Sequence, residues 1–157
     1  MLRGPVHDIL NAMSIDPSTE RFEVPISVDP SDIDELGHVN NVVYLRWVQE
    51  AAISHWRART TDEQQSEIIW VVVRHEIDYK HPAMPGDQLI ARTWVGVATV
   101  STFERHTEIV RASDQRLLAQ ARTLWVPIRI DTGRPTRVDP EIRRRFSVPD
   151  KGTGPER

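Results

Sequence analysis

The sequence contains no cysteine, carries little net charge and has no long apolar run. The absence of cysteine excludes disulfide scaffolds, thiolate zinc sites and cysteine nucleophiles, and it is compatible with a reducing cytosol. The 20 basic and 23 acidic side chains nearly cancel to a formal charge of −3. A field of that size would not hold a polyanion, so we expect no nucleic-acid partner.

The longest wholly apolar stretch is residues 68–73. It is far shorter than the roughly 20 residues that a membrane span requires. The first 20 residues also lack an apolar run that could serve as a signal-peptide core. We therefore expect a cytoplasmic protein with no membrane partner.

The 157 residues, 39% of them hydrophobic and 27% charged, are typical of one globular domain. The polar residues 1–20 predict a weakly patterned lead segment. The Gly- and Pro-containing residues 149–157 predict a flexible tail. No linker or repeat divides the middle, so the folded domain is expected over residues 21–148.

Alternating apolar residues predict a strand at residues 21–28, and residues 42–59 have helical character. Polar residues of this helix form one stripe: Arg46, Glu50, Ser54 and Arg57. The rest of its surface is apolar, which predicts a helix buried on most sides.

The polar stretch TTDEQQ after the helix is expected to be a loop. Further elements are predicted as strands at residues 68–79, 88–97, 102–112 and 117–130 and a short terminal helix at 139–146. The order of one strand, one long helix and four strands predicts an α+β fold, an antiparallel sheet wrapped around one central helix.

The most informative segment joins the first strand to the helix. It contains Asp32, Asp34, Gly37, His38, Val39, Asn40, Asn41, Tyr44 and Leu45 in the order D-x-D-x-x-G-H-V-N-N-x-x-Y-L. A weaker motif is Tyr79-x-x-Pro82-x-x-x-Gly86-Asp87. With the element order, these motifs resemble the hotdog-fold acyl-CoA thioesterases of the 4-hydroxybenzoyl-CoA thioesterase family over about residues 21–130.

The resemblance makes Asp34 the expected catalytic carboxylate and leaves Asp32 a structural one. Asn40 and Asn41 stand where the helix begins, and free N–H groups there would polarise a thioester carbonyl and stabilise its oxyanion. By resemblance, that donor is the backbone amide of Asn41. Asp34 would act directly, through a mixed anhydride, or by deprotonating a water. No metal and no cofactor is required.

Four further residues are expected at this site. Gly37 permits the tight turn of the loop, and Tyr44 is expected beside the substrate. His38 has three open roles: orienting Asp34, contacting the thioester or hydrogen-bonding the loop. Glu50 is a secondary carboxylate candidate, although its place on the polar stripe favours an ion pair at i,i+4.

Other residues are more ambiguous. His75 falls on an apolar strand face and is expected to be a packed core residue, and no histidine spacing is typical of a metal site. Candidates for contacting CoA phosphates are Arg92, Arg105, Arg111 and Arg122, among which the sequence does not choose. Trp47 and Trp56 line either an acyl tunnel or the core.

These observations predict an acyl-CoA thioesterase that releases free acid and CoA. The resemblance implies a homodimer or homotetramer with sheets joined edge to edge and active sites between subunits. The alternatives are an acyl-carrier-protein thioesterase and a non-catalytic acyl-CoA-binding protein. A hotdog dehydratase is expected to pair Asp and His through a different local pattern, which this sequence does not show.

Overall fold

The computed structural model describes residues 19–148, so most of the predicted lead segment and the whole predicted tail lie outside the described residues. The strands are β1 (Phe22–Ser27), β2 (Ile68–Tyr79), β3 (Gln88–Ala98), β4 (Phe103–Arg111) and β5 (Leu117–Arg129). The helices are α1 (Asn41–Arg59), α2 (Asp62–Glu67) and α3 (Pro140–Arg145). A 3-10 turn, Pro30–Asp32, lies between β1 and α1. All predicted strands and helices are present, with each boundary within one residue of the expected position.

The five strands form one antiparallel sheet in the order β1-β3-β4-β5-β2. Helix α1 packs across one face of this sheet and contacts β1, β3 and β4. Among the described residues, strand β2 lies at an edge of the sheet and pairs with β5 alone. The α+β arrangement of a sheet around one long helix is therefore confirmed.

Helix α1 buries only one of its sides. The buried residues are Tyr44, Trp47, Val48, Ala51, Ala52 and His55. The opposite side is exposed and includes Glu50, Ile53 and Arg57. The expectation of burial on most sides is wrong for the single chain, because one curved sheet covers one face of a helix. No helix within residues 19–148 is long and apolar enough to cross a membrane.

A β-bulge changes the pattern of β2. The pairing with β5 shifts register between Val72 and Arg74. An extra residue reverses the side-chain alternation, so Val71 points outward whereas Ile77 points inward. Strict alternation along residues 68–79 predicts that Val71 and Ile77 share one face, and the bulge makes that prediction wrong. His75 lies on the inner side, 3.1 Å from Thr123 Oγ1, and burial lowers its pKa.

Helix α2 occupies the segment that was expected to be a loop. Its N-terminus is a capping box in which Gln64 N donates to Thr61 Oγ1 at 3.2 Å. Thr61 N in turn donates to Gln64 Oε1 at 3.0 Å. The T-x-x-Q spacing is the sequence signal for this start, whereas apolar periodicity, which this segment lacks, does not indicate the helix.

Candidate active site

The loop between β1 and α1 is anchored by Asp32, whose side chain is 3% exposed. Asp32 Oδ2 accepts a hydrogen bond from Asp29 N at 3.0 Å, and Oδ1 accepts one from Arg46 Nη2 at 2.9 Å. The Asp32 carbonyl accepts the N–H of Asn40 at 2.8 Å. Both carboxylate oxygens are engaged, so Asp32 ties the loop to the helix.

Asp34 uses only one carboxylate oxygen in the loop. Its Oδ1 accepts hydrogen bonds from Leu36 N at 2.9 Å and from His38 N at 3.4 Å. Its backbone N–H donates to the His38 carbonyl at 2.8 Å. The side chain is half-buried, and no group within residues 19–148 hydrogen-bonds its Oδ2. One oxygen therefore fixes the turn and the other is available for chemistry.

Gly37 and His38 form the tip of this loop. Gly37 has a φ of +77°, in the left-handed region, while a Cβ at this position would meet no heavy atom within 4 Å. The need for glycine is thus conformational rather than steric. The two loop hydrogen bonds of His38 come from its backbone. Its imidazole bonds neither Asp34 nor another described residue, so the structure does not show it orienting the carboxylate.

The start of α1 presents an unused donor. Asn40 is the N-cap, and its side-chain oxygen accepts from Val42 N at 3.1 Å. The next N–H along, that of Asn41, has no hydrogen-bond partner in the described part of the chain. The bridge between Ile33 and Val39 folds the loop back so that Asp34 and this N–H lie at the same end of the molecule. Asn41 N–H also stands at the positive end of the helix dipole.

Tyr44 is a core residue, which corrects its expected place beside the substrate. Its side chain is 2% exposed, and its hydroxyl accepts the N–H of Ala83 at 2.8 Å. Ala83 O in turn accepts from Val39 N at 3.1 Å. Tyr44 therefore fixes the segment after β2 against the loop before α1.

Tyr79 borders the site, a position that the sequence alone does not predict. It is 42% exposed, and its hydroxyl donates to the Asn41 carbonyl at 3.0 Å. This contact holds the first turn of α1 against the end of β2. The signal was the Tyr79-x-x-Pro82 motif, which the sequence alone did not connect to the helix start.

Glu50 is exposed, and its Oε1 lies 3.5 Å from Arg46 Nε one turn earlier. This is the i,i+4 pair that the polar stripe predicted. The geometry of the single chain gives Glu50 no contact with Asp34.

The four arginines that are candidates for contacting CoA phosphates differ in their burial and ion pairing. Arg105 is 7% exposed, on the inner side of the sheet. The other three are ion-paired: Arg92 with Glu23, Arg111 with Asp114 and Arg122 with Glu104. None of the four contacts the start of α1. Of the two helix tryptophans, Trp47 lies in the core, whereas Trp56 lines a cavity near the other end of α1.

Within residues 19–148, no three His, Asp or Glu side chains cluster as metal ligands would. The fold and the loop define an antiparallel sheet on one helix, and at the start of that helix lie a carboxylate and an N–H that no described residue accepts. These are the features expected of a hotdog-fold thioesterase.

Comparison with known proteins identifies the family. Residues 28–146 match the thioesterase-like superfamily, and the chain therefore belongs to it. A chloroplastic acyl-[acyl-carrier-protein] hydrolase, FATB2 of Cuphea viscosissima, is 24% identical over 109 residues, which are 64% of this chain. The chain spans only 26% of the length of that curated relative.

Solved structures share the fold. The 1,4-dihydroxy-2-naphthoyl-CoA thioesterase Slr0204 of Synechocystis superposes with a TM-score of 0.72 at 23% identity, over 82% of this chain and 96% of that one. A thioesterase of Thermus thermophilus, complexed with coenzyme A and Zn, gives a TM-score of 0.68 at 26% identity. That match covers 79% of this chain and 90% of the other. These similarities confirm the hotdog fold.

Proposed function

We propose that this protein hydrolyses acyl-CoA thioesters to the free acid and CoA, with Asp34 as nucleophile or general base. The observation that carries the proposal lies at the start of α1. There, the described residues leave one Asp34 oxygen and the Asn41 N–H without partners. Membership of the thioesterase-like superfamily supports a thioester as the substrate.

The proposed reaction uses the chain's own groups. The thioester oxygen accepts a hydrogen bond from Asn41 N–H, which stabilises the negative charge of the tetrahedral intermediate. Asp34 either attacks the carbonyl carbon and expels CoA thiolate, giving an anhydride that water cleaves, or takes a proton from the attacking water. Both routes consume one water and end with acid and thiol.

The thiol carrier is assigned by similarity. The Thermus thermophilus thioesterase contains coenzyme A, which supports CoA, and the loop motif supports the 4-hydroxybenzoyl-CoA thioesterase branch. An acyl-carrier-protein thioesterase is the second candidate because of the match to FATB2. The same acyl group should be assayed on both carriers. A kcat/KM more than about tenfold higher on the carrier protein would overturn the CoA assignment.

We further propose a homodimer, or a tetramer built from it, joined through the edge of β2. The observation in support is an apolar outer strip on that edge strand, with Ile69, Val71 and Val73 all more than 40% exposed. An unpaired apolar edge strand favours pairing with another chain. A cytoplasmic location stays a prediction of the sequence.

The decisive variant is Asp34→Asn, which keeps the acceptor for the loop amides but removes the charge. We expect kcat on the best acyl-CoA to fall by about 10² to 10⁴ with the Tm nearly unchanged. Thiol release and thermal unfolding measure the two quantities.

Two carboxylates serve as controls for this variant. Glu50→Gln should leave kcat within a few-fold, since Glu50 has only an exposed ion pair. Asp32→Asn should lower the Tm, because it weakens a buried anchor, and should lower kcat far less than Asp34→Asn does. A folded Asp34→Asn protein with wild-type kcat would refute the mechanism. Tight acyl-CoA binding by a wild type that never hydrolyses it would indicate the non-catalytic binding protein instead.

A further inference from the structure

A cavity of about 650 Å³ lies between the C-terminal half of α1 and the inner face of the sheet. Its volume is in the range of small-molecule sites. The walls are largely apolar and aromatic and include Trp56, Trp70, Phe103, Trp125, Ile142 and Phe146. Trp56 follows Asn41 by 15 residues, which is about 22 Å along a helix, so the cavity is separate from the thioester site.

One wall of this apolar cavity carries a buried cation. Arg105, on β4, is 7% exposed and lines the cavity. Its Nη1 donates to His55 Nδ1 at 2.9 Å and to Thr93 Oγ1 at 3.1 Å. No carboxylate lies within 4.0 Å of its guanidinium, and its Nε and Nη2 have no hydrogen-bond acceptor among residues 19–148. A buried charge without a counterion is strongly disfavoured, so the site is electrostatically incomplete.

The neighbouring histidine cannot supply the missing negative charge. Arg105 has only donors, so His55 Nδ1 accepts and the proton of the neutral ring sits on Nε2, 3.1 Å from Glu20 Oε1. Burial, together with the Arg105 charge, lowers the pKa of His55 to about 3. Glu20 is shared with Arg59, whose Nη2 lies 2.7 Å from its Oε1. Arg59 thus neutralises Glu20, and Arg105 is linked to that carboxylate only through the neutral His55, so the cluster keeps one positive charge.

Two indoles of the cavity wall also lack acceptors. Trp70 Nε1 and Trp125 Nε1 are buried, with no hydrogen-bond partner in the described residues. Apart from Asp62 at the exposed mouth on α2, the lining residues contain no carboxylate. Inside its mouth the cavity therefore combines apolar walls with Arg105 and no acidic side chain among the described residues.

We propose that this cavity binds an apolar or aromatic group that ends in a carboxylate, with Arg105 as its counterion. Resting on the proposed function, this group is the far end of the acyl moiety, and the preferred substrates are acyl-CoAs with a carboxylate remote from the thioester. A two-fold axis perpendicular to the sheet at the paired β2 edges would make the two α1 helices antiparallel. The cavity end of one α1 would then lie at the same end of the dimer as the thioester site of the partner.

Binding can be tested without any hydrolysis. Three tryptophans line the cavity, so intrinsic fluorescence reports occupancy directly. We expect decanoate and 2-naphthoate to give saturable changes with a Kd about 10- to 100-fold lower than that of the matched amides, decanamide and 2-naphthamide. Equal affinity of acid and amide, or no saturable change with either acid, would overturn the proposal.

Variants of Arg105 test the counterion. Arg105→Met keeps the apolar stem and should abolish the preference for acid over amide, whereas Arg105→Lys should retain part of it. Arg144→Met, on the exposed side of α3, is the matched control and should change nothing. A full acid preference in Arg105→Met would refute the assignment. If Arg105→Met does not fold, Arg105→Lys carries the test. A preference for acid over amide that is reduced or lost in this variant supports the proposal, and an unchanged preference refutes it.

Hydrolysis separates this inference from the proposed function. An acyl-CoA with a terminal carboxylate should exceed its unsubstituted counterpart of equal length by about tenfold or more in kcat/KM, and Arg105→Met should reduce the ratio to about one. Hydrolysis without any such preference would refute the cavity assignment and leave the thioesterase proposal standing. Acid binding without hydrolysis of any thioester would refute the thioesterase proposal and leave carboxylate binding in the cavity standing.

Discussion

The two aspartates of the loop before α1 differ in what surrounds their carboxylates. Asp32 is buried with both oxygens hydrogen-bonded, by Asp29 N and by Arg46. Asp34 is half-buried and keeps one oxygen free of partners within the described residues. The two carboxylates therefore differ in the acceptor sites that they leave open: hydrogen bonds occupy both oxygens of Asp32 but only one oxygen of Asp34 among the described residues.

His55 predicts a pH dependence of stability. Its pKa is lowered to about 3 in the folded chain, against about 6.5 when unfolded, so the unfolded state binds more protons between these values. Stability is therefore fully present above about pH 6.5 and is lost as pH falls. We expect His55 to contribute a loss of about 1–2 kcal/mol in the free energy of unfolding between pH 7 and pH 5.

Chemical denaturation at several pH values measures this contribution. His55→Gln can still accept from Arg105 and donate to Glu20 but does not titrate, so its stability should fall less steeply with acid. His81→Gln, at an exposed histidine, should keep the wild-type slope. Identical slopes for wild type and His55→Gln would contradict the prediction.

At the scale of the elements, the loop that leads into α1 depends on the backbone conformation of one residue, Gly37. Gly37 sits at φ +77°, which a β-branched residue adopts only with strain of about 1–2 kcal/mol. We expect Gly37→Val to lower kcat/KM much more than it lowers the yield of folded protein, since the strain moves the Asp34 loop but not the sheet.

Asparagine tolerates the left-handed region, so Gly37→Asn is the matched control for this loop. It should recover most of the activity lost in Gly37→Val, because the open space around the Cβ position accepts a side chain. A well-folded Gly37→Val protein with unchanged kcat/KM would show that the turn does not position the site.

At the scale of the whole molecule, the edge of β2 predicts the assembly. Light scattering at micromolar concentration should give at least twice the chain mass of 18.0 kDa. Val71→Glu would place like charges on the two β2 edges of the proposed dimer and should shift the particle toward a monomer. Val97→Glu is the control, since Val97 is exposed on β3, away from that edge. An 18 kDa wild-type particle would contradict the prediction.

The sequence by itself determined the elements, the fold class and the candidate loop. Strand alternation and the position of Pro140 located elements to within one residue, because backbone periodicity and capping are local. The loop motif likewise indicated Asp34 as the candidate carboxylate and Asn40 and Asn41 as the start of the helix. Apolar periodicity does not predict helix α2, whose sequence signal is the capping box of Thr61 and Gln64.

Tertiary structure decided which side chains meet. A bulge at Val72/Arg74 reversed the faces of β2, and burial moved Tyr44 from the predicted site into the core. Arg105 and His55 are 50 residues apart in the chain, yet their side chains meet at 2.9 Å on the cavity wall. No local pattern encodes that contact, because it depends on the packing of α1 across the sheet, which buries Arg105 away from every carboxylate of residues 19–148.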